Sequence, residues 1–257
     1  MAGSTKACLF CGSTGVKLTK EHAYPRWLER ALNIQGTITY SGGQPTERTG
    51  HKLDLEVRDV CRDCNGGWMH DLEHAFRAVM IRPLNGFGPV TLHQPEQKVI
   101  ALWAVKTWFM LERALPHLRA DKAIEAQPHL FRYLFENGEP PPNAQVWLGA
   151  VNARPANLVS FVATRWVGEP PNPPVGIAGI FSVGCVLFWV YFPVTKWGAL
   201  TLDQYALGLP EAFQPFFLEI WPEKIEEISW PPPSVFSADA LPRTWPDGGY
   251  IHAMEAP

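Results

Sequence analysis

The sequence is poor in charge and has no basic excess. Charged residues make up 18% of its 257 positions and the net charge is −3. The first figure excludes a disordered, self-repelling chain, and the second excludes a nucleic-acid footprint spread over the whole molecule. No charged-then-apolar signal opens the sequence as given, so the expectation is a cytoplasmic protein in which disulfides are not favoured. There is no internal repeat. Apolar residues are plentiful at 46%, which suits a packed globule, and the length suffices for one large domain or two small ones. Prolines gather at 140–142, 170–174 and 231–233, where they read as rigid extended connections.

The charge is uneven. Residues 1–83 carry 11 basic and 9 acidic side chains, and residues 84–257 carry 11 and 16. The N-terminal third can meet phosphates, and the remainder cannot do so broadly. One stretch of 20 residues, "VGIAGIFSVGCVLFWVYFPV" at 175–194, is uncharged and long enough to span a bilayer. Its three glycines, its β-branched and aromatic content and the lack of basic residues before it favour two buried strands joined by a glycine turn. No membrane association is expected.

Along the chain, "EHAYPRWLERAL" starts extended and turns helical after Pro25, which suits a first helical turn. Residues 35–52 are polar and glycine-rich, and 52–60 alternate as a strand does. Residues 61–80 read as a turn entering a helix whose apolar positions are Met69, Leu72, Phe76, Val79 and Met80. Residues 96–115 predict a helix apolar on most of its surface, hence central. Residues 121–136 predict another, with Pro128 as a kink or break. After 143, segments such as "AQVWLGAV", "VLFWVYF" and "FFLEIW" are strand-like. The fold class is therefore α+β. The expected parts are an N-terminal module over 1–85, a helical segment over 86–138 and a β-rich part over 139–257.

Cys8 and Cys11 form one C-x-x-C, and Cys61 and Cys64 a second. Each such turn sets two sulfurs on one side of a tight bend, and together they supply the ligand set of a tetrahedral structural Zn2+. Disulfides or unrelated thiols are the alternatives. Cys185 lies in an apolar strand and reads as a small buried hydrophobe.

The order C-x-x-C, then "EHAYP", then "CRDCN" resembles the HNH endonuclease family in its zinc-bound form, over roughly residues 8–80. The resemblance implies a zinc-stabilised ββα-metal module. Glu21, His22 and Pro25 match its acidic-histidine strand, and Asn65 matches the residue opening its helix. "CRDCNGGWMHDLE" followed by "LWAVKTW" is also similar to uncharacterised HNH proteins of bacteria and phages. The implied activity is metal-dependent endonuclease or nickase hydrolysis of phosphodiester bonds, with double-stranded DNA the expected partner. His22 would be the general base, and Glu21 and Asn65 would hold a catalytic Mg2+ or Mn2+. The middle asparagine of the family pattern is missing from "LDLEVRDVC"; Asp54, Glu56 or Asp59 replaces it as a brace, or the brace is absent.

Lys20, Arg26 and Arg62 are candidates for phosphate contacts, with plain surface charge as the alternative. Trp27 and Trp68 are expected in the core rather than stacked on bases. His70 and His74 share a helix face and, with Asp71, are either further ligands or a solvated face, the second being expected. Glu73 is expected to be structural. The rival function is a non-catalytic zinc module that binds nucleic acid or a protein. The β-rich part is the expected place for a homo-oligomer contact or a partner.

Overall fold

A computed structural model describes residues 6–33, 55–114, 128–141, 143–152, 176–193, 209, 211–222 and 224–237, and the backbone alone of 38–40, 48–50 and 162–167. The architecture is mixed α and β, with four cysteines gathered near the N-terminus.

A cysteine turn leads into β1 (Leu18–His22), which Pro25 ends, and a short α1 (Trp27–Ala31) follows. A small antiparallel pair, β2 (Ile38–Tyr40) and β3 (Arg48–Gly50), is inserted before β4 (Glu56–Cys61) returns antiparallel to β1. The second cysteine turn forms α2 (Arg62–Cys64), a π-type turn covers Asn65–Met69, and α3 (His70–Leu84) continues from it. Gly66 and Gly67 in "NGGWM" let the backbone leave helical geometry here, at Gly67 (φ −102°, ψ −114°). At the far end of α3, Phe87 N–H donates to the Arg82 carbonyl and Gly86 N–H to that of Pro83, with Gly86 at φ +76°. This double bond satisfies the last carbonyls of the helix, the usual use of glycine just past a helix end.

β5 (Val90–His93) pairs with β11 (Glu227–Trp230), and α4 (Gln94–Ala114) follows directly. Every residue of α4 from Ile100 to Glu112 is buried, as its all-round apolar sequence requires. It packs on α3, β4 and β9 and on α5 (Pro128–Asn137), among other elements. Pro128 opens α5 rather than kinking it, since its missing N–H has no partner to lose at a helix start; residues 121–127 lie outside the described residues.

The large sheet has the order β10 (Phe217–Trp221), β6 (Gln145–Asn152), β9 (Val186–Pro193), β8 (Gly176–Val183), β7 (Val162–Val167), all antiparallel. β12 (Phe236–Ser237) runs parallel to the end of β6. Both β8 and β9 are buried throughout. Along β9, Phe188, Val190 and Phe192 join the core under α4, while Leu187, Trp189 and Tyr191 join a second cluster on the other face with Phe217 and Phe236. The period-two alternation is therefore present, with both faces covered. Thus the uncharged run is a strand pair over 176–193, and no helix among the described residues is long and apolar enough to cross a membrane.

The β8–β9 turn fixes the sheet to the N-terminal part. Gly184 takes φ +55°, and the next residue, Cys185, donates its N–H to the Leu84 carbonyl at the end of α3. Phe76 of α3 stacks on Trp103 of α4 at 3.7 Å and 8°, and Trp103 meets Phe188 of β9. Cys8 and Phe10, Trp103 and Phe131, and Phe188 and Trp230 accordingly share one buried core. Each fully buried Leu, Phe or Met in such a core contributes about 1.5–3 kcal/mol. Trp27 and Trp68 pack against it as well.

Candidate metal centre and the strand beside it

The first cysteine turn is closed by Gly12 N–H donating to the Cys8 carbonyl, with Gly12 at φ +71°. A side chain there would be strained by the backbone and would meet the Arg132 guanidinium. Leu9 N–H donates to the Asp59 carbonyl and so joins this turn to β4. The second turn follows β4 without a break. Cys61 N–H points at Cys8 Sγ (3.3 Å) and Cys64 N–H at Cys61 Sγ (3.4 Å). Such amide donors favour thiolates.

All four Sγ atoms lie within 4.8 Å of one another, with Cys11 and Cys61 Sγ 3.7 Å apart. A tetrahedral zinc with bonds of about 2.3 Å sets its sulfurs about 3.8 Å apart, whereas a disulfide needs about 2.0 Å. None of the five cysteines is in a disulfide, and Cys185 is buried as the sequence led one to expect. Burial pushes the Cys61 and Cys64 thiols up. Burial acts on Cys11 in the same direction, but hydrogen bonding with Ser13 and the neighbouring thiols outweighs it and brings Cys11 down to about 6. The donor set and spacing fit a metal such as zinc.

β1 and β4 meet at Leu18↔Cys61, Thr19↔Val60, Glu21↔Val57 and His22↔Glu56. Between Thr19 and Glu21 the register slips: β1 advances two residues while β4 advances three. The bulge re-aims the side chains that follow. Glu21 turns inward and is 6% exposed, while His22 stays half-buried on the outer side.

Asn65, directly after Cys64, reaches β1: its Nδ2 donates to Thr19 Oγ1 (3.1 Å) and the Lys20 carbonyl (3.3 Å). Thr19 Oγ1 in turn donates to the Val60 carbonyl of β4. A single chain of hydrogen bonds thus ties the start of the helix to both strands. His22 Nε2 accepts from Arg26 Nε at 3.3 Å and lies 3.6 Å from Glu56 Oε1. Lys20 pairs with Glu56 at 2.6 Å, and this contact holds the Glu56 carboxyl below its ordinary range. Asp59 is committed elsewhere. Burial would raise it, but Arg113 of α4 and Lys6 outweigh that and hold it low. Asp54 lies outside the described residues. Of the three acidic candidates for the brace, Glu56 is thus the described one that contacts His22.

Arg62 is exposed at the first position of α2. His70, Asp71 and His74 are exposed too, the imidazoles 6.5 Å apart. Among the described residues, the four cysteines form the one group of three or more His, Cys, Asp or Glu ligand atoms close enough to share an ion.

On its buried side Glu21 faces Lys106 of α4, Nζ to Oε1 3.9 Å, and Lys106 also pairs with Glu73 of α3 at 3.1 Å. Lys106 is completely buried. Burial, with the Glu73 charge adding to it and Lys106 opposing, pushes the Glu21 carboxyl up to about 7. Sequence reasoning missed Lys106, although a lone charge inside "VIALWAVKTWFML" was the signal: a buried ammonium needs a carboxylate partner.

Compared with protein-family models, with curated proteins and with solved structures, the chain matches none.

Proposed function

We propose that the protein is a metal-dependent endonuclease or nickase of the HNH type, acting on the phosphodiester bonds of DNA, with a structural zinc on Cys8, Cys11, Cys61 and Cys64. The observation that supports this reading is that Glu21 and His22 are adjacent at the end of β1 and that Asn65 is hydrogen-bonded to the same strand from the start of the helix. His22 takes a proton from the attacking water through its imidazole. Glu56 orients the ring, and Arg26, whose Nε donates to His22 Nε2, has to leave that nitrogen before it can accept a proton. Glu21 and the Asn65 side-chain oxygen offer hard ligands to Mg2+ or Mn2+. When bound, that ion supplies charge stabilisation at the scissile phosphate and the leaving oxygen. Lys20 and Arg26, which contact Glu56 and His22, and the exposed Arg62 are the candidates for phosphate contacts. The zinc is structural, because its four positions are filled by thiolates.

The test is incubation of the protein and of His22→Ala with supercoiled plasmid, with and without Mg2+ or Mn2+. Ion-dependent nicking by the unmutated protein alone supports the reading. A second reading, a zinc module that binds nucleic acid or protein without cleaving, is favoured because, among the described residues, only the four cysteines form a group of three or more His, Cys, Asp or Glu side chains close enough to share an ion. DNA binding without cleavage, unchanged in His22→Ala, would establish it.

A further inference from the structure

The Glu21–Lys106–Glu73 cluster joins three elements that are distant in sequence. Glu21 comes from β1, Glu73 from α3, and Lys106 from the middle of α4, beyond the stretch that carries the cysteine and histidine motifs. Lys106 is wholly buried among Trp103, Val105, Trp108 and Phe109 of its own helix. An ammonium in such a place costs several kcal/mol unless it is paired, and an apolar residue of similar length would pack there at no such cost. The arrangement of its partners points to what holds it there. Glu73 sits at hydrogen-bond distance, 3.1 Å, and anchors the ammonium. Glu21, at 3.9 Å, is within ion-pair range and too long for a hydrogen bond. It is drawn toward Lys106 by charge without a hydrogen bond to it. With Glu21 ionised, two carboxylates and one ammonium leave one negative charge in the cluster, suited to a divalent ion.

We propose that Lys106, anchored by Glu73, is a positioning residue that holds the Glu21 carboxylate in place for the divalent ion. This rests on the nuclease reading above. The experiment measures Mn2+ affinity by the electron paramagnetic resonance signal of free Mn2+, using the full zinc-loaded chain. The variants are the wild type, Glu21→Gln, and the double variant Lys106→Met with Glu73→Gln. The double variant removes one positive and one negative charge, so the net charge of the cluster stays the same. An unchanged zinc content and circular dichroism spectrum show that it folds. If Lys106 positions Glu21, the double variant loses about tenfold to a hundredfold in Mn2+ affinity, the usual effect of removing a partner behind a ligand, and Glu21→Gln loses at least as much. Affinity within about twofold of the wild type in the double variant overturns the proposal while the nuclease reading stands. A wild type that binds no Mn2+ beyond its zinc overturns both. Should the double variant fail to fold, Glu73→Gln alone serves. It leaves Glu21 as the remaining carboxylate of Lys106, and an Mn2+ affinity equal to that of the wild type overturns the proposal.

Discussion

His22 and Glu56 stand directly opposite one another across the β1–β4 ladder, with Nε2 3.6 Å from Oε1. The pairing sets an acidic side chain against the imidazole in the strand where the family resemblance would place an asparagine. Lys20 keeps that carboxyl ionised, so it is available to an imidazolium once His22 has taken a proton. Glu56→Gln is expected to lower cleavage by about tenfold, less than the loss of about 100-fold or more expected for His22→Ala, because a base in place contributes about 10²–10⁴. Single-turnover nicking rates of the two variants, with DNA binding measured in parallel, check the order. Equal losses in the two would remove the orienting role.

The Glu21 carboxyl, raised from its ordinary 4.5 to about 7 chiefly by burial, couples stability to pH. A group that binds its proton more tightly folded than unfolded penalises the fold once it must ionise. The penalty is absent below about pH 4.5, grows as pH rises to about 7, and is constant above that. Its size is on the order of 3 kcal/mol, at about 1.4 kcal/mol per unit. Glu21→Gln should therefore be more stable than the wild type at pH 8 and lose that advantage by pH 4.5. Urea denaturation at several pH values without added Mg2+ checks this. On the nuclease reading proposed above, the same proton would compete with a divalent ion at Glu21, so raising Mn2+ should move the acidic limb of the cleavage profile below pH 7.

With zinc on the four cysteines as proposed, removing it should unfold more than a loop. Cys8, Cys61 and Cys64 belong to the same buried core as Phe76 and Trp103, and β4 enters the site through Cys61 itself. Zinc binding at four-thiolate sites contributes about 10–16 kcal/mol in small domains. Cys61→Ser should lower zinc content from one per chain to none and abolish the cooperative melt, while Cys185→Ser should leave zinc content unchanged. Metal analysis and thermal melts distinguish them.

Much of this was legible beforehand because the signals were local. The paired C-x-x-C turns, the alternation before Cys61, the apolar period of α3 and the unbroken apolar surface of α4 each depend on a few neighbours in sequence. Non-local pairings were not legible. The β5–β11 pair joins Val90 to Trp230, and neither short strand carries a pattern strong enough to announce itself. Thr19 reads as an ordinary strand residue until Asn65 is brought beside it. Lys106 broke the local pattern of its helix, and the physical reason, two carboxylates from two other elements, lies 33 and 85 residues away in the chain. The charge balance of residues 1–83 carried little information about which basic side chains were free: Lys20 is engaged with Glu56 and Arg26 with His22.

Two glycines in nearly the same backbone conformation should respond very differently to substitution. Gly184 has φ +55° and Gly138 has φ +62°, both in the left-handed region that disfavours a side chain. Around Gly138 nothing lies within 4 Å of an added Cβ, so Gly138→Ala should cost only the backbone term, about 1 kcal/mol. At Gly184 an added Cβ would stand 2.1 Å from the Leu84 carbonyl oxygen, and backbone cannot rotate away as a side-chain tip does. That carbonyl also accepts from Cys185 N–H, so relief would separate the β8–β9 turn from the end of α3. Gly184→Ala should therefore cost about 3 kcal/mol or more, the range in which strain at a special backbone angle adds to a packing clash. Chemical denaturation of the two variants side by side checks this. Equal destabilisation would mean that the sheet and α3 are less rigidly joined than the contact between Gly184 and Leu84 requires.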